Sequence, residues 1–318
     1  MKVLLFTNTA KGLASEVAGE AGAWLASRGI EYELLPSGIF EEGGERLREL
    51  AASIGTFDFM CSFGGDGTTL RAAHLVGRSG VPLLSYNFGK LGFLSGAGAG
   101  DLIPALEAAV EGRLTYDART MLSLRVAYES GRVDTQIALN EVVVSRGHFG
   151  RIVALDLLIN GTLIDTIEGD GVLVATPTGS TAYALSAGGP IISPAHEGLC
   201  VVPISPHSLT TRAIVTARDD VIRLEPNRLN RQRLVLFIDG EVFWIDAGGG
   251  GAGAEGAAEA GAGAGSAAGS ADDADEARDE ITSVEVAGCA ERLMFARLGP
   301  YDFYDHVAQT FFRGSHAR

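Results

Sequence analysis

The chain is poor in the residues that would signal a stapled or metal-caged fold. Three cysteines, Cys61, Cys200 and Cys289, occur in 318 residues, far apart and without CxxC spacing. That argues against a disulfide framework or zinc site and for buried thiols in a reducing compartment. The six histidines, His74, His148, His196, His207, His306 and His316, show no metal spacing and read as structural. No stretch approaches the ~18 apolar residues of a membrane span. Met1 to Asn8 is too short for a signal peptide and reads as a first strand, so a soluble cytoplasmic protein is expected. There is no GxxxxGK[ST] loop, no GxGxxG fingerprint and no GxSxG elbow, which removes the P-loop kinase, conventional dinucleotide-binding Rossmann and α/β-hydrolase readings. Basic residues are scarce as well. The net charge of −15 argues against nucleic acid or an anionic membrane as partner. Part of that charge is local, because residues 255 to 280 hold eight acids against Arg278 alone.

What is present is enough for about two domains at ~100–200 residues each. The first third alternates strand and helix patterns: Val3 to Thr7, Ala14 to Ser27, Tyr32 to Leu35, Gly44 to Ser53, Phe57 to Phe63, a helix from Leu70, then Pro82 to Tyr86. This order predicts a mostly parallel sheet with helices on its faces. After about Thr115 helical pattern nearly vanishes. Strand-like runs follow one another, among them Thr135 to Ser145, Val153 to Ile159, Val172 to Ala175, Cys200 to Ile204, Leu234 to Ile238 and Val242 to Ile245. The fold class expected is α+β in two domains. Residues 1–117 form an N-terminal α/β domain, and residues 118–297 a C-terminal all-β domain. A C-terminal helix within 298–318 returns to the first. Residues 247–280 are almost all Gly, Ala, Ser, Asp and Glu, a composition that cannot bury a core, and read as a disordered insertion in a surface turn.

The stretch Ser62-Phe63-Gly64-Gly65-Asp66-Gly67-Thr68-Thr69-Leu70 stands between an apolar strand and a helix. A glycine turn opening a helix gathers backbone N–H groups and a positive helix end, a ready site for phosphate. A bare turn does not need the acid Asp66, and an anion site would rather lack it. The acid therefore points to a base or a metal partner beside a phosphate. Three further segments bear on this. Asn87 to Leu94 follows the next strand and should emerge on the same side as Asp66. Asn140-Glu141 interrupts an apolar run with two polar groups, which are costly to bury unsatisfied. In Gly169 to Pro190 a strand runs into a Pro/Gly turn and a short hydroxyl-rich helix carrying Tyr183 and Ser186, features that suit a nucleotide.

Taken together, Gly64-Gly65-Asp66-Gly67-Thr68, Asn87 through Leu94, Asn140-Glu141, Asp170 through Pro190, Pro203 through Leu209 with Arg212, and Asp239-Gly240 resemble the NAD kinase family over nearly the whole chain outside the insertion. The first motif is shared with lipid kinases of the diacylglycerol and sphingosine type, which stand as the alternative. The resemblance implies a site in the cleft between the domains, ATP and NAD as substrates, a divalent metal such as Mg²⁺, and a homo-oligomer. ATP alone, or ATP and polyphosphate, remain open as donors. It implies phosphoryl transfer to the 2′-hydroxyl of the adenosine ribose of NAD. Asp66 would be the general base, near the metal, and Gly67 would lie against the substrate. Asn140 and Glu141 would bind the nicotinamide-side ribose or its neighbours, and Asp170 the nicotinamide-bearing part. Thr181, Ala182, Tyr183, Ala184, Leu185 and Ser186 would meet the adenine end, with Arg71 and Arg151 as further binding residues. No protein metal ligand is assigned. Glu168, Ala213 and Glu241 depart from the family pattern.

Overall fold

The computed structural model describes residues 1–42, 45–88, 92–98, 100–147, 151–230, 234–242 and 279–313. Most of the low-complexity segment, residues 89–91 of the Asn87–Leu94 loop, and the expected strand beyond Val242 lie outside them. The N-terminal part runs β1 (Lys2–Thr7), α1 (Gly12–Ser27), β2 (Glu31–Pro36), α2 (Ile39–Glu42), α3 (Glu45–Ser53), β3 (Phe59–Phe63), α4 (Asp66–Val76), β4 (Leu83–Tyr86) and α5 (Leu102–Val110). Its four strands pair in parallel in the order β2-β1-β3-β4. Along β1, Leu4 and Phe6 enter one apolar core while Val3 and Leu5 enter another. Alternate side chains point to opposite faces, so a strand buried on both faces needs an unbroken apolar run.

The rest runs β5 (Thr115–Tyr128), β6 (Val133–Ala138), β7 (Glu141–Ser145), β8 (Val153–Ile159), β9 (Thr162–Gly169), β10 (Gly171–Ala175), α6 (Tyr183–Ser186), β11 (Cys200–Ile204), β12 (Ile214–Val215), β13 (Ile222–Pro226), β14 (Val235–Ile238), β15 (Glu241–Val242), β16 (Ile281–Arg297) and α7 (Phe303–Val307). A six-stranded antiparallel sheet, β12-β11-β10-β7-β14-β15, packs on the antiparallel strands β5, β8, β13 and β16 through a core that includes Leu124, Val142, Val172, Leu155 and Val284. The architecture is thus the expected α/β part followed by a β part with a C-terminal helix.

Two strands differ from the sequence pattern. The apolar stretches Ile281 to Val286 and Leu293 to Arg297 are one 17-residue strand, β16. It pairs with β5 across a register shift between Gly288 and Arg292, and lies parallel to β4 at Phe295 and Leu83. It thereby ties the parallel sheet to the antiparallel one. The expected division at 117/118 falls inside β5, the other long strand of this junction. Second, Thr135 to Ser145 is not one strand. β6 ends at Ala138 in the large sheet and β7 begins at Glu141 in the six-stranded one. The chain changes sheets at Leu139-Asn140.

Candidate active site

The turn after β3 is tight because Gly64 packs on Thr68. A Cβ at Gly64 would lie 2.6 Å from Thr68 Cβ. α4 starts at Asp66 itself, four residues before the pattern predicts, so the carboxylate stands in the helix's first turn, where the positive end favours its ionised form. Asn8, just past β1, donates its amide to Thr68 Oγ1 at 3.4 Å, joining the neighbouring strand end to the turn. Asp66 is open to solvent but recessed between walls of protein. Burial raises its carboxyl above the ordinary value; the nearby His306, when protonated, pulls it the other way, and burial beside Arg297 holds that ring's own value below the ordinary one.

The Asn87–Leu94 loop does reach Asp66. A Cβ at Gly92 would sit 2.7 Å from Asp66 Oδ1 and 3.0 Å from Oδ2. Only a residue without a side chain lets the carboxylate occupy its place. Gly92 N–H donates to Ser95 Oγ at 3.0 Å, which fixes the glycine within the loop.

Asp239 explains the break at Asn140. Its backbone has φ +49°, in the turn between β14 and β15, and its side chain is 2% exposed. The carboxylate accepts N–H bonds from Leu139 (2.7 Å), Asn140 (2.7 Å) and Glu141 (3.0 Å). These donors would otherwise continue a ladder, so capturing them ends one strand and frees the chain to enter the other sheet. His74 Nε2 of α4 lies 2.8 Å from the same carboxylate. One buried acid therefore joins the helix that starts at Asp66 to the Asn140-Glu141 segment. A second link runs beside it, from Arg71 Nε to Glu241 Oε1 at 3.0 Å.

Two cavities meet at this hairpin and share Gly240 in their walls. The larger, about 1010 Å³, is walled by residues that include Asn8, Lys11, Gly67, Arg71 and Glu241. The smaller, about 450 Å³, is walled by Glu141, Asp170, Tyr183 and Arg146 among others. Glu141 is 5% exposed, and its Oε2 has no hydrogen-bond partner. Burial, with the Asp239 carboxylate adding to it, pushes its carboxyl up to about 8. Asp170 behaves oppositely. Its bond to Arg146, 2.6 Å from Oδ1, holds its carboxyl below the usual range.

Of the sequence-predicted site residues, Gly67 and Arg71 line the larger cavity and Glu141, Asp170 and Tyr183 the smaller. Asp66 stands between Gly65 and Gly67 at the larger one. Asn140 is buried, its carbonyl accepting from Thr176 N–H at 2.8 Å. Gly179 packs directly on the Asn140 backbone, so the turn from Thr176 to Tyr183 rests on the Asn140-Glu141 segment. Within that turn Thr181, Ala182 and Leu185 are half-buried and Ser186 is exposed, whereas Ala184 is fully buried in the core beneath the six-stranded sheet. Arg151 is exposed and lines neither cavity.

A family model described as ATP-NAD kinase N-terminal domain matches residues 3–114, and one described as ATP-NAD kinase C-terminal domain matches residues 139–244. The chain belongs to the NAD kinase family. Among curated relatives, the NAD kinase of Caldanaerobacter subterraneus subsp. tengcongensis is 40% identical over 244 residues, covering 76% of this chain and 85% of the relative. The NAD kinase of Azoarcus sp. (strain BH72) is 39% identical, covering 73% of this chain and 70% of the relative. Among solved structures, yeast NADH kinase complexed with NADH superposes with TM-score 0.76 at 21% identity, covering 100% of this chain and 89% of that one. An NAD kinase from Archaeoglobus fulgidus in complex with ATP gives 0.64 at 24% identity, with 93% of each chain covered. These two support the fold.

Within this family fold, Asp239 lies in a family motif whose role the sequence leaves open, and His74 and His306 read from the sequence as structural. The signal for Asp239 was an acid followed by glycine in a turn, with its partners about a hundred residues away.

Proposed function

We infer that this chain transfers the γ-phosphoryl group of ATP to the 2′-hydroxyl of the adenosine ribose of NAD, giving NADP. The reading is carried by Asp66, a carboxylate raised by burial, set at a helix start between two glycines that line the larger cavity, and given room by Gly92. Family membership favours NAD as acceptor over the lipid alternative that shares the turn.

A ribose hydroxyl is a poor nucleophile until its proton is taken. Asp66 accepts that proton as the hydroxyl attacks phosphorus, and the raised value brings it nearer the working range of a base. The glycine turn and first N–H groups of α4 lie against the transferring phosphoryl group, with Lys11 on the same wall adding positive charge. Glu141, Asp170 and Tyr183 hold the dinucleotide in the smaller cavity. There the protonated Glu141 can donate to an acceptor on the ligand, and ionised Asp170 can accept from its hydroxyls. Thr181, Ala182, Leu185 and Ser186 frame the adenine end, while Ala184 supports the turn from the core and Asn140 holds it through its backbone. Arg71, in the wall of the larger cavity and paired with Glu241, is the guanidinium that would meet a phosphate there. Arg151 lines neither of these two cavities, and a binding role for it falls to a homo-oligomer.

No group of three His, Cys, Asp or Glu able to hold a metal exists among the described residues. That donor set fits a divalent ion carried mainly by substrate phosphates and water, as Mg²⁺ commonly is. When bound, such an ion would neutralise charge on the donor phosphates. Incubating the chain with ATP, Mg²⁺ and NAD and reading NADP with an NADP-specific dehydrogenase tests the assignment. Polyphosphate in place of ATP tests the second donor. Absence of NADP with either donor would overturn the reading.

A further inference from the structure

The loop that gives Asp66 its room is gripped from behind by the C-terminal segment. Phe93, next to Gly92, stands in an aromatic cage. The His306 ring meets it edge-on at 4.4 Å, Phe311 stacks at 5.7 Å, and Phe303 is tilted at 6.1 Å. Arg297, 5% exposed at the end of β16, donates to the carbonyl of Ser95 and, at 3.3 Å, to that of Phe93. Its guanidinium lies 3.8 Å from the Tyr301 ring centroid and its Nε 3.7 Å from Asp117. Arg119, 2% exposed, shares Asp117 and reaches Thr178 Oγ1 at 3.4 Å. Two buried guanidinium groups thus face one carboxylate, and the loop carbonyls supply acceptors that Asp117 alone cannot. The arrangement references two segments to one charged cluster: the loop beside Asp66 and the turn leading to Tyr183.

We propose that the C-terminal segment 297–311 is a positioning element for Asp66, acting through Phe93 and Arg297 on the 92–95 loop. It sets the place of Gly92 and hence the rotamer space of the carboxylate. The proposal rests on the reading of Asp66 as the base. Positioning of a reacting group within about 1 Å is worth of the order of 10²-fold in rate. A residue that acts only on that position should therefore lower kcat and leave dinucleotide binding nearly intact.

The test uses the full chain with ATP, Mg²⁺ and NAD. Phe93→Ala empties the cage, Phe93→Tyr keeps a ring in it, and His306→Ala removes one wall. The expected result is a fall in kcat of the order of 10²-fold for Phe93→Ala, with KM for NAD and calorimetric NAD binding held within about threefold. Phe93→Tyr should recover most of that loss, and His306→Ala should fall between. If Phe93→Ala does not fold, the same split between kcat and KM in Phe311→Ala, which removes the stacked wall without touching the charge beside Asp66, decides. Unchanged kcat in Phe93→Ala, or a kcat loss matched by lost NAD binding, would overturn the proposal. So would an equal loss in Phe93→Tyr. Asp66→Asn run alongside separates the two readings. Near-normal turnover there removes the base and the positioning role with it. An inactive Asp66→Asn beside a fully active Phe93→Ala removes the positioning role alone.

Discussion

Replacing Asp239 with alanine should be among the most damaging single changes in the chain, although Asp239 performs no step of the reaction. Its carboxylate accepts three backbone N–H bonds at 2.7, 2.7 and 3.0 Å and one contact from His74 at 2.8 Å. Each hydrogen bond to a charged group contributes about 1.5–3 kcal/mol net. The four are not additive, because water can enter the space left by the side chain. Losing one partner of a buried charged network typically destabilises by about 3–5 kcal/mol. With about 2–4 °C per kcal/mol for a fold of 150–250 residues, Asp239→Ala should lower Tm by roughly 10 °C. Asp239→Asn keeps one acceptor oxygen but turns an amide N–H toward one of the donors, and should fall between wild type and alanine. Thermal unfolding followed by circular dichroism, with ligand-free protein, measures both. If both variants unfold within about 2 °C of wild type, the carboxylate does not organise the strand switch and the argument from its hydrogen bonds fails.

Other expectations follow from the same geometry. Glu141 has a folded-state value of about 8 against an ordinary 4.5. The folded protein therefore holds an extra proton between those values, and the stability it confers is present below pH 4.5 and lost as pH rises through about 8. Glu141→Gln removes that dependence, so its stability relative to wild type should rise from pH 5 to pH 8 in urea titrations; a difference flat with pH would contradict the assignment. Gly92→Ala and Gly179→Ala should separate function from folding. The nearest atoms to a new Cβ at Gly92 belong to the movable end of Asp66, so Tm should hold while kcat falls. At Gly179 it meets the Asn140 backbone, so expression and Tm should drop first.

Much of this architecture is legible in the sequence wherever local pattern and tertiary role agree. The β3-turn-α4 unit is readable because glycines, an apolar strand and the acid lie within nine residues. The start of α4 is misplaced because Gly67, Thr68 and Thr69 are weak helix formers, and tertiary packing of the turn overrides their propensity. The α5 helix, Leu102–Val110, escapes notice because it carries Pro104 and is apolar on most sides; proline is tolerated there only because it lies in the first turn. β16 reads as two strands because Gly288 to Glu291 interrupts the apolar run where the ladder shifts register. Nothing in the local pattern marks Arg119 and Arg297 as buried; the approach of Asp117 and the loop carbonyls provides their partners in the interior. Ala184 sits in a binding motif but serves the core, which spacing alone does not distinguish.

The central claim is that Asp66 removes a proton from a ribose hydroxyl of NAD during phosphoryl transfer. The most direct measurement compares NADP formation by wild type and Asp66→Asn under saturating ATP, Mg²⁺ and NAD, with NAD affinity measured separately by calorimetry. The account predicts a kcat lowered by about 10²–10⁴, the range of general-base catalysis, with NAD affinity largely kept. Near-normal turnover in Asp66→Asn would contradict it.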